Sequence, residues 1–347
     1  MRTRIIVMVL ALTLALTAVG CGSSGGGGGG GSSSDVKPGL VLDVGGLGDE
    51  GFNDSAYAGF KRAKKNLGVQ GDYLESTAPT DYTDNLTQFA DSGYFPVIAV
   101  GFAMAPDLGE VSKQYTDTQF AIVDAVVDTP NTISLVFREQ EGSYLAGVVA
   151  GLMTQEKTAY TNPDKVVGFL GGQTGPVIGR FQAGYEAGVK SVCPDCEVLV
   201  NYAGSTVDAY NDPAKGKEIS LQQIDQGADI IYTAAGNTGT GGFSAAKQEK
   251  IFAIGVDQDQ AKLFPEDPIL TSVIKRVDNA VYQMIVSVSK NNGKPKGEVV
   301  DSGLKEKGIS LAPYGRFDKD VPQSVKDEVA KAKKGIIDGD IKVPTKP

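Results

Sequence analysis

Residues 40–60 read LVLDVGGLGDEGFNDSAYAGF, and the architecture follows from how this stretch is read. Leu40, Val41 and Leu42 form an apolar run that reads as a buried strand, Asp43 stands at its carboxyl end, and Gly45, Gly46 and Gly48 let the chain turn sharply. A helix follows, with Ala56, Phe60, Ala63 and Leu67 on one face. Strand, glycine turn and helix are a unit of the open α/β sheet, in which ligands bind beyond the carboxyl ends of the strands. One loop there offers a carboxylate at Asp43, a flat aromatic face at Phe52 and a two-way hydrogen-bonding amide at Asn53. These are the means of holding a flat molecule with polar edges. The packing alternative makes Phe52 a hydrophobic staple and Asn53 a helix cap.

The alternation continues outward from this unit. Strands are predicted at 72–75, 96–100, 120–124 and 132–137, with helices at 81–92 and 106–114 between them. A helix at 139–152 carries Gly142, Ala146, Gly147 and Gly151, small enough for close packing, and leads into a second set. That set has strands at 165–170, 197–202, 229–233, 251–257 and 269–273, helices at 213–226 and 276–289, and a loop AAGNTGTGGF before a helix at 244–249. FAIVD and IGVD end in carboxylates, Asp124 and Asp257, as LVLD does. Two such sets predict two doubly wound parallel-sheet lobes with a ligand cleft between them. The expected division is 36–134 with 276–296 as one lobe, and 135–275 with 297–347 as the other. None of the glycine loops carries the Lys-Ser/Thr of a phosphate loop or the ordered dinucleotide fingerprint, so no cofactor is expected.

Composition narrows the function. Histidine is absent from all 347 residues, which removes Ser-His-Asp and Cys-His machinery and histidine metal sites. Residues 1–20 combine Arg2 and Arg4 with a short apolar run and small residues before Cys21, the pattern of an export signal followed by a lipidation site. Residues 22–34 are only glycine and serine, so 21–35 reads as a lipidated flexible tether. Losing the two signal arginines takes Lys and Arg from 33 to 31 against 42 acids, a net −11, which argues against nucleic-acid backbones and leaves the lipid as the membrane anchor. Cys193 and Cys196, in CPDC, read as a structural disulfide in an exported chain, with a redox site as the alternative.

The blocks DVGGLGDEGFNDSAYAGF, FREQEGSYLAG, GNTGTGGFSAAK, IGVDQDQ and LTSVIKRVDNAV together resemble the basic membrane protein family of substrate-binding lipoproteins, whose studied members include purine nucleoside receptors. The resemblance runs from about residue 38 to 344. It implies a type I periplasmic-binding-protein fold, nucleoside capture outside the cytoplasmic membrane, and delivery to the permease of an ABC importer by a monomeric, non-catalytic protein. It further implies that Phe52 and Phe243 sandwich the base, that Asn53 and Asp124 bond its edge, that Asp257 and Lys275 hold the ribose, and that Asp43 lines the same pocket. Asp49 and Asp259 read as turn and capping residues. The Lys-Ser pair common in the family before Phe-Asn is Glu50-Gly51 here, which changes the charge of the loop. The same fold with a sugar or signalling ligand, and a calcium-dependent nucleoside hydrolase built on Asp43, Asp124 and Asp257, are the alternatives.

Overall fold

A computed structural model describes residues 36–290 and 297–347. The expected export signal, Cys21 with its tether, and the last six residues of the 276–296 segment lie outside the described residues. Among those described, the chain forms two lobes, each around a six-stranded sheet.

In lobe 1, β1 (Gly39–Leu42), α1 (Phe52–Leu67), β2 (Asp72–Glu75), α2 (Tyr82–Asp91), β3 (Val97–Val100), α3 (Ala105–Gln114), β4 (Phe120–Val123) and β5 (Thr132–Phe137) follow one another. In lobe 2 come α4 (Glu139–Met153), β6 (Val166–Gln173), α5 (Pro176–Val192), β7 (Glu197–Gly204), α6 (Pro213–Asp225), β8 (Ala228–Ala234), α7 (Thr238–Glu249), β9 (Phe252–Asp257), α8 (Gln260–Leu263) and β10 (Ile269–Lys275). The chain returns through α9 (Val277–Lys290) and β11 (Val299–Ser302) to lobe 1, and ends in lobe 2 with β12 (Ile309–Leu311) and α10 (Gln323–Asp338).

The sheet orders are β2-β1-β3-β4-β5-β11 and β7-β6-β8-β9-β10-β12. Pairing is parallel except for β12 on β10. The strand order reverses direction between β1 and β3, and between β6 and β8, which opens a crevice at the carboxyl ends of both sheets. Central strands such as β1 (GLVL), β3 (VIAV) and β4 (FAIV) are continuous apolar runs buried on both faces, as helices on either side require.

The lobe boundaries differ from the expected ones. β5 belongs whole to the first sheet, and β11 adds to it with Val299 opposite Ser134 and Ser302 opposite Phe137. The crossings therefore fall between 137 and 139, between 275 and 277, and between 302 and 309. The β-branched run through Phe137 keeps one register to its end, so a division at 134 would cut a paired strand.

Two glycine patterns hold helices together. A Cβ on Gly147 would lie 2.2 Å from Tyr185 O, and one on Gly188 2.1 Å from Tyr144 O, so α4 and α5 pack backbone to backbone. Gly216 and Gly241 do the same for α6 and α7, where a Cβ would meet Thr238 O and Pro213 O at 1.9 Å. The stretch expected to be a loop before residue 244 is thus mostly helix, α7 beginning at Thr238. Cys193 and Cys196 form a disulfide with Cα atoms 5.3 Å apart at the end of α5.

Candidate functional site

The crevice between the lobes is open at its mouth, and about 650 Å3 of atom-free space, solvent at the mouth included, lies within it. Asp43, Phe52, Asn53, Asp124, Asp257 and Lys275 all line it. Of the residues expected at the site, Phe243 alone does not. It is fully buried in a lobe 2 core with Leu170, Ile231 and Ile269, its ring 5.6 Å from that of Phe264. The correction has a physical cause. Gly241 and Gly242 are helix-packing positions rather than a ligand loop, and the α7 face that carries Phe243 turns into the sheet.

Lobe 1 supplies the base of the crevice from β1, α1 and β4. Asp43 accepts hydrogen bonds at Oδ1 from the Val44 N–H, at 2.8 Å, and from the Tyr82 hydroxyl. Its own N–H donates to Asn53 Oδ1 at 3.1 Å, tying the start of α1 to the end of β1 and leaving the Asn53 amide hydrogens for the cleft. Asp49 caps α1, accepting from the N–H groups of Gly51, Asn53 and Asp54 at 2.7–3.1 Å, and also lines the cleft. Burial pushes Asp43 up to about 6, against the pull of the Tyr82 and Val44 hydrogen bonds.

Asp124 and Asp257 follow the equivalent strands β4 and β9 of the two sheets. Both stand in the left-handed region, at φ 70° and 65°, which aspartate tolerates better than most residues. Asp124 Oδ2 accepts from Lys275 Nζ at 2.5 Å, and its Oδ1 is buried with no partner among the described residues. Asp257 accepts no hydrogen bond from the described residues. Its burial raises it to about 7, with Lys275 pulling the other way. Burial likewise raises Asp124, opposed by Lys275.

Lys275, 2% exposed at the end of β10, is the cleft's cation. Burial works to lower its pKa, but Asp124, Glu139 and Asp257 hold it above the ordinary lysine value. Its Nζ is 3.2 Å from Glu139 Oε1 and lies 5.2–5.7 Å from the rings of Phe52, Phe137 and Phe181. Glu139 in turn accepts from Arg180 Nε at 2.5 Å. Among the residues named, five carboxylates face one lysine and one arginine.

Sequence reasoning missed Glu139, Arg180, Tyr82, Phe102, Phe181 and Tyr210. Glu139 reads in sequence as an ordinary first-turn helix acid, and Tyr82 as core. Tyr210, from a short 3₁₀ turn, meets Phe102 of the opposite lobe with ring centroids 6.4 Å apart. Its hydroxyl is buried without a partner among the described residues. Across the mouth, Gln258 Nε2 donates to Gly51 O at 3.1 Å and Gln260 Nε2 to Glu50 O at 3.2 Å, so lobe 2 clasps the loop before α1.

Residues 37–346 match the Bmp family profile, described as ABC transporter substrate-binding protein, PnrA-like. The chain is 38% identical to a CD4+ T-cell-stimulating antigen of Listeria monocytogenes, covering 91% of this chain and 90% of that protein. It is 37% identical to the ABC transporter nucleoside-binding protein BmpA of Lactococcus lactis, covering 90% of each. A crystal structure of an ABC transporter solute-binding protein from Aeropyrum pernix superposes with a TM-score of 0.79 at 29% identity, over 89% of this chain and 93% of that one.

Proposed function

The chain belongs to the Bmp family of ABC transporter substrate-binding proteins, and on that premise we propose that its cleft captures nucleosides, purine nucleosides first, for the permease of an importer. One observation carries the reading: one cleft between the lobes combines the Phe52 ring with acceptors from both, Asp43 and Asp124 from one and Asp257 from the other.

A nucleoside answers that chemistry. Its base is flat and apolar on its faces, and an aromatic contact of this kind contributes about 1–3 kcal/mol in single-strand binders. Its ribose presents two adjacent O–H donors, which suit Asp257, with Lys275 offering N–H donors to sugar oxygens. The Asn53 amide and Asp124 face the base edge. With Phe243 in the core, the aromatic wall consists of Phe52 with Phe102, Phe181 and Tyr210. The surplus of acids disfavours a phosphate, so nucleosides are preferred to nucleotides. Micromolar binding needs about 8 kcal/mol, which stacking and a few enclosed hydrogen bonds supply. The lipid at Cys21 and a monomeric state belong to the same reading.

Titration calorimetry with inosine, adenosine, guanosine, cytidine, ribose and inosine monophosphate tests it. Purine nucleosides are expected to bind and ribose and the monophosphate to bind at least tenfold more weakly, about 1.4 kcal/mol. Binding of ribose alone, or of no nucleoside, would overturn the reading. Release of free base from inosine on adding calcium would replace it with the hydrolase, whose metal would have to share the cleft with Lys275.

A further inference from the structure

We propose that Tyr82 is a positioning residue of the cleft: its hydroxyl holds one oxygen of Asp43 so that the other stands as a fixed acceptor for the ligand. The inference rests on the reading of Asp43 as a ligand contact.

The Tyr82 ring is 1% exposed, packed in the lobe 1 core with Leu86, Phe120 and Ile122. Phenylalanine would fill that place equally well, so packing does not call for the hydroxyl. Its partner is Asp43 Oδ1, which also takes the Val44 N–H. Oδ1 is thereby occupied twice, while Oδ2 accepts nothing from the described residues. Oδ2 lies against Gly101, where a Cβ would stand 2.2 Å away and φ is +121°, so no L-residue side chain can replace glycine there without moving the carboxylate. A carboxylate fixed at one oxygen and bare at the other is a preorganised acceptor, because the ligand does not have to order it.

The charged and titratable groups facing Asp43 are Asp49 from the loop before α1, Asp124 from β4 and the hydroxyls of Tyr82 and Tyr210, with Asp107 of α3 beyond Tyr82. The two aspartates favour a protonated Asp43. Tyr82, as a donor, favours the ionised form that accepts from a ligand. Without the Tyr82 hydroxyl, Asp43 swings more freely and ionises at higher pH.

The test is a double-mutant cycle of Tyr82→Phe and Asp43→Asn, with inosine affinity measured from pH 5.5 to 8.5 and the Asp43 carboxyl carbon followed by NMR in the ligand-free protein. Y82F is expected to weaken inosine roughly tenfold at pH 7, with partial recovery by pH 8.5, and to raise the Asp43 midpoint. In the D43N background, Y82F should change affinity less than about twofold. Equal losses in both backgrounds, or an unmoved Asp43 midpoint, would overturn the proposal. Failure of the parent protein to bind any nucleoside would sink the nucleoside reading instead, and the ligand-free titration of Asp43 would still decide the role of Tyr82.

Discussion

Asp257→Asn should make the free protein more stable at pH 8 and a worse receptor at the same pH. In the folded protein Asp257 titrates at about 7, against 3.8 for a free aspartate, and burial is the main cause. The folded state therefore holds a proton that the unfolded chain releases between about pH 4 and pH 7, so stability falls as pH rises through that window. Above pH 7 the ionised carboxylate carries the full cost, and the gap between 3.8 and about 7 corresponds to about 4 kcal/mol. Asparagine carries no charge and tolerates the left-handed backbone found here. It should recover a good part of that cost at pH 8 and almost none near pH 4, where the parent is already protonated. Binding moves the other way. A sugar diol on an ionised carboxylate makes two charge-assisted hydrogen bonds, each about 1.5–3 kcal/mol, and asparagine restores one weaker one. A net loss of about 2 kcal/mol raises Kd about 30-fold. Scanning calorimetry at pH 4.5 and 8 and titration with inosine at pH 8 measure both effects. A variant that binds inosine as the parent does, or that is less stable than the parent at pH 8, refutes the assignment of Asp257 as an unsatisfied acceptor awaiting a donor-rich ligand.

Phe243→Ala should cost about 3–5 kcal/mol of stability in urea unfolding while changing affinity per folded molecule by less than about twofold, because the ring fills the lobe 2 core; a large affinity loss at unchanged stability would return Phe243 to the cleft. Lys275→Met leaves Asp124 buried without its cation, and Glu139 with Arg180 alone, and should destabilise the protein by about 3–5 kcal/mol at pH 8. That deficit should shrink as the pH falls and Asp124, already raised by burial, takes up a proton, and a deficit independent of pH would contradict the ion-pair account. Gln258→Ala removes one hydrogen bond across the mouth, about 1 kcal/mol. Stopped-flow tyrosine fluorescence, usable because the chain lacks tryptophan, should show inosine leaving about fivefold faster; an unchanged release rate means the clasp is incidental.

Strand ends were the most legible part of this chain. A buried parallel strand is a short run of aliphatic residues, so a carboxylate closing such a run is conspicuous, and Asp43, Asp124 and Asp257 all reach the cleft on that pattern. Glycine was the least legible, because one residue type serves opposite ends. In GGLG it turns the chain at φ 56–106° near the site, whereas in GNTGTGG Gly236 turns the chain at φ 56° and Gly241 admits α6, a Cβ there lying 1.9 Å from Pro213 O. Phe243, which the family resemblance set against the base, lies in the lobe 2 core because its helix begins inside that glycine stretch and turns the ring toward the sheet. Tyr82 and Tyr210 escaped notice because a buried ring signals packing in sequence, and only the hydroxyl's surroundings reveal another role.

The topology explains why the cleft is acidic on both walls yet has its lysine on one side. The two sheets repeat the order 2-1-3-4-5, and their fourth strands end at equivalent points in Asp124 and Asp257. The fifth strands are equivalent too, but β5 ends in Phe137 where β10 ends in Lys275, and the ammonium lies 5.2 Å from that ring. Both fifth strands also feed helices that cross to the opposite lobe, β5 into α4 and β10 into α9. Lys275 therefore sits at a crossing point with Asp124 from lobe 1 and Glu139 from the first turn of α4, and its two ion pairs join β10 to β4 and to the other crossing. A ligand that takes a hydrogen bond from Lys275 draws on the same charge that joins the lobes. On the proposed reading, the affinity for such a ligand then depends on the ion pairs at that crossing.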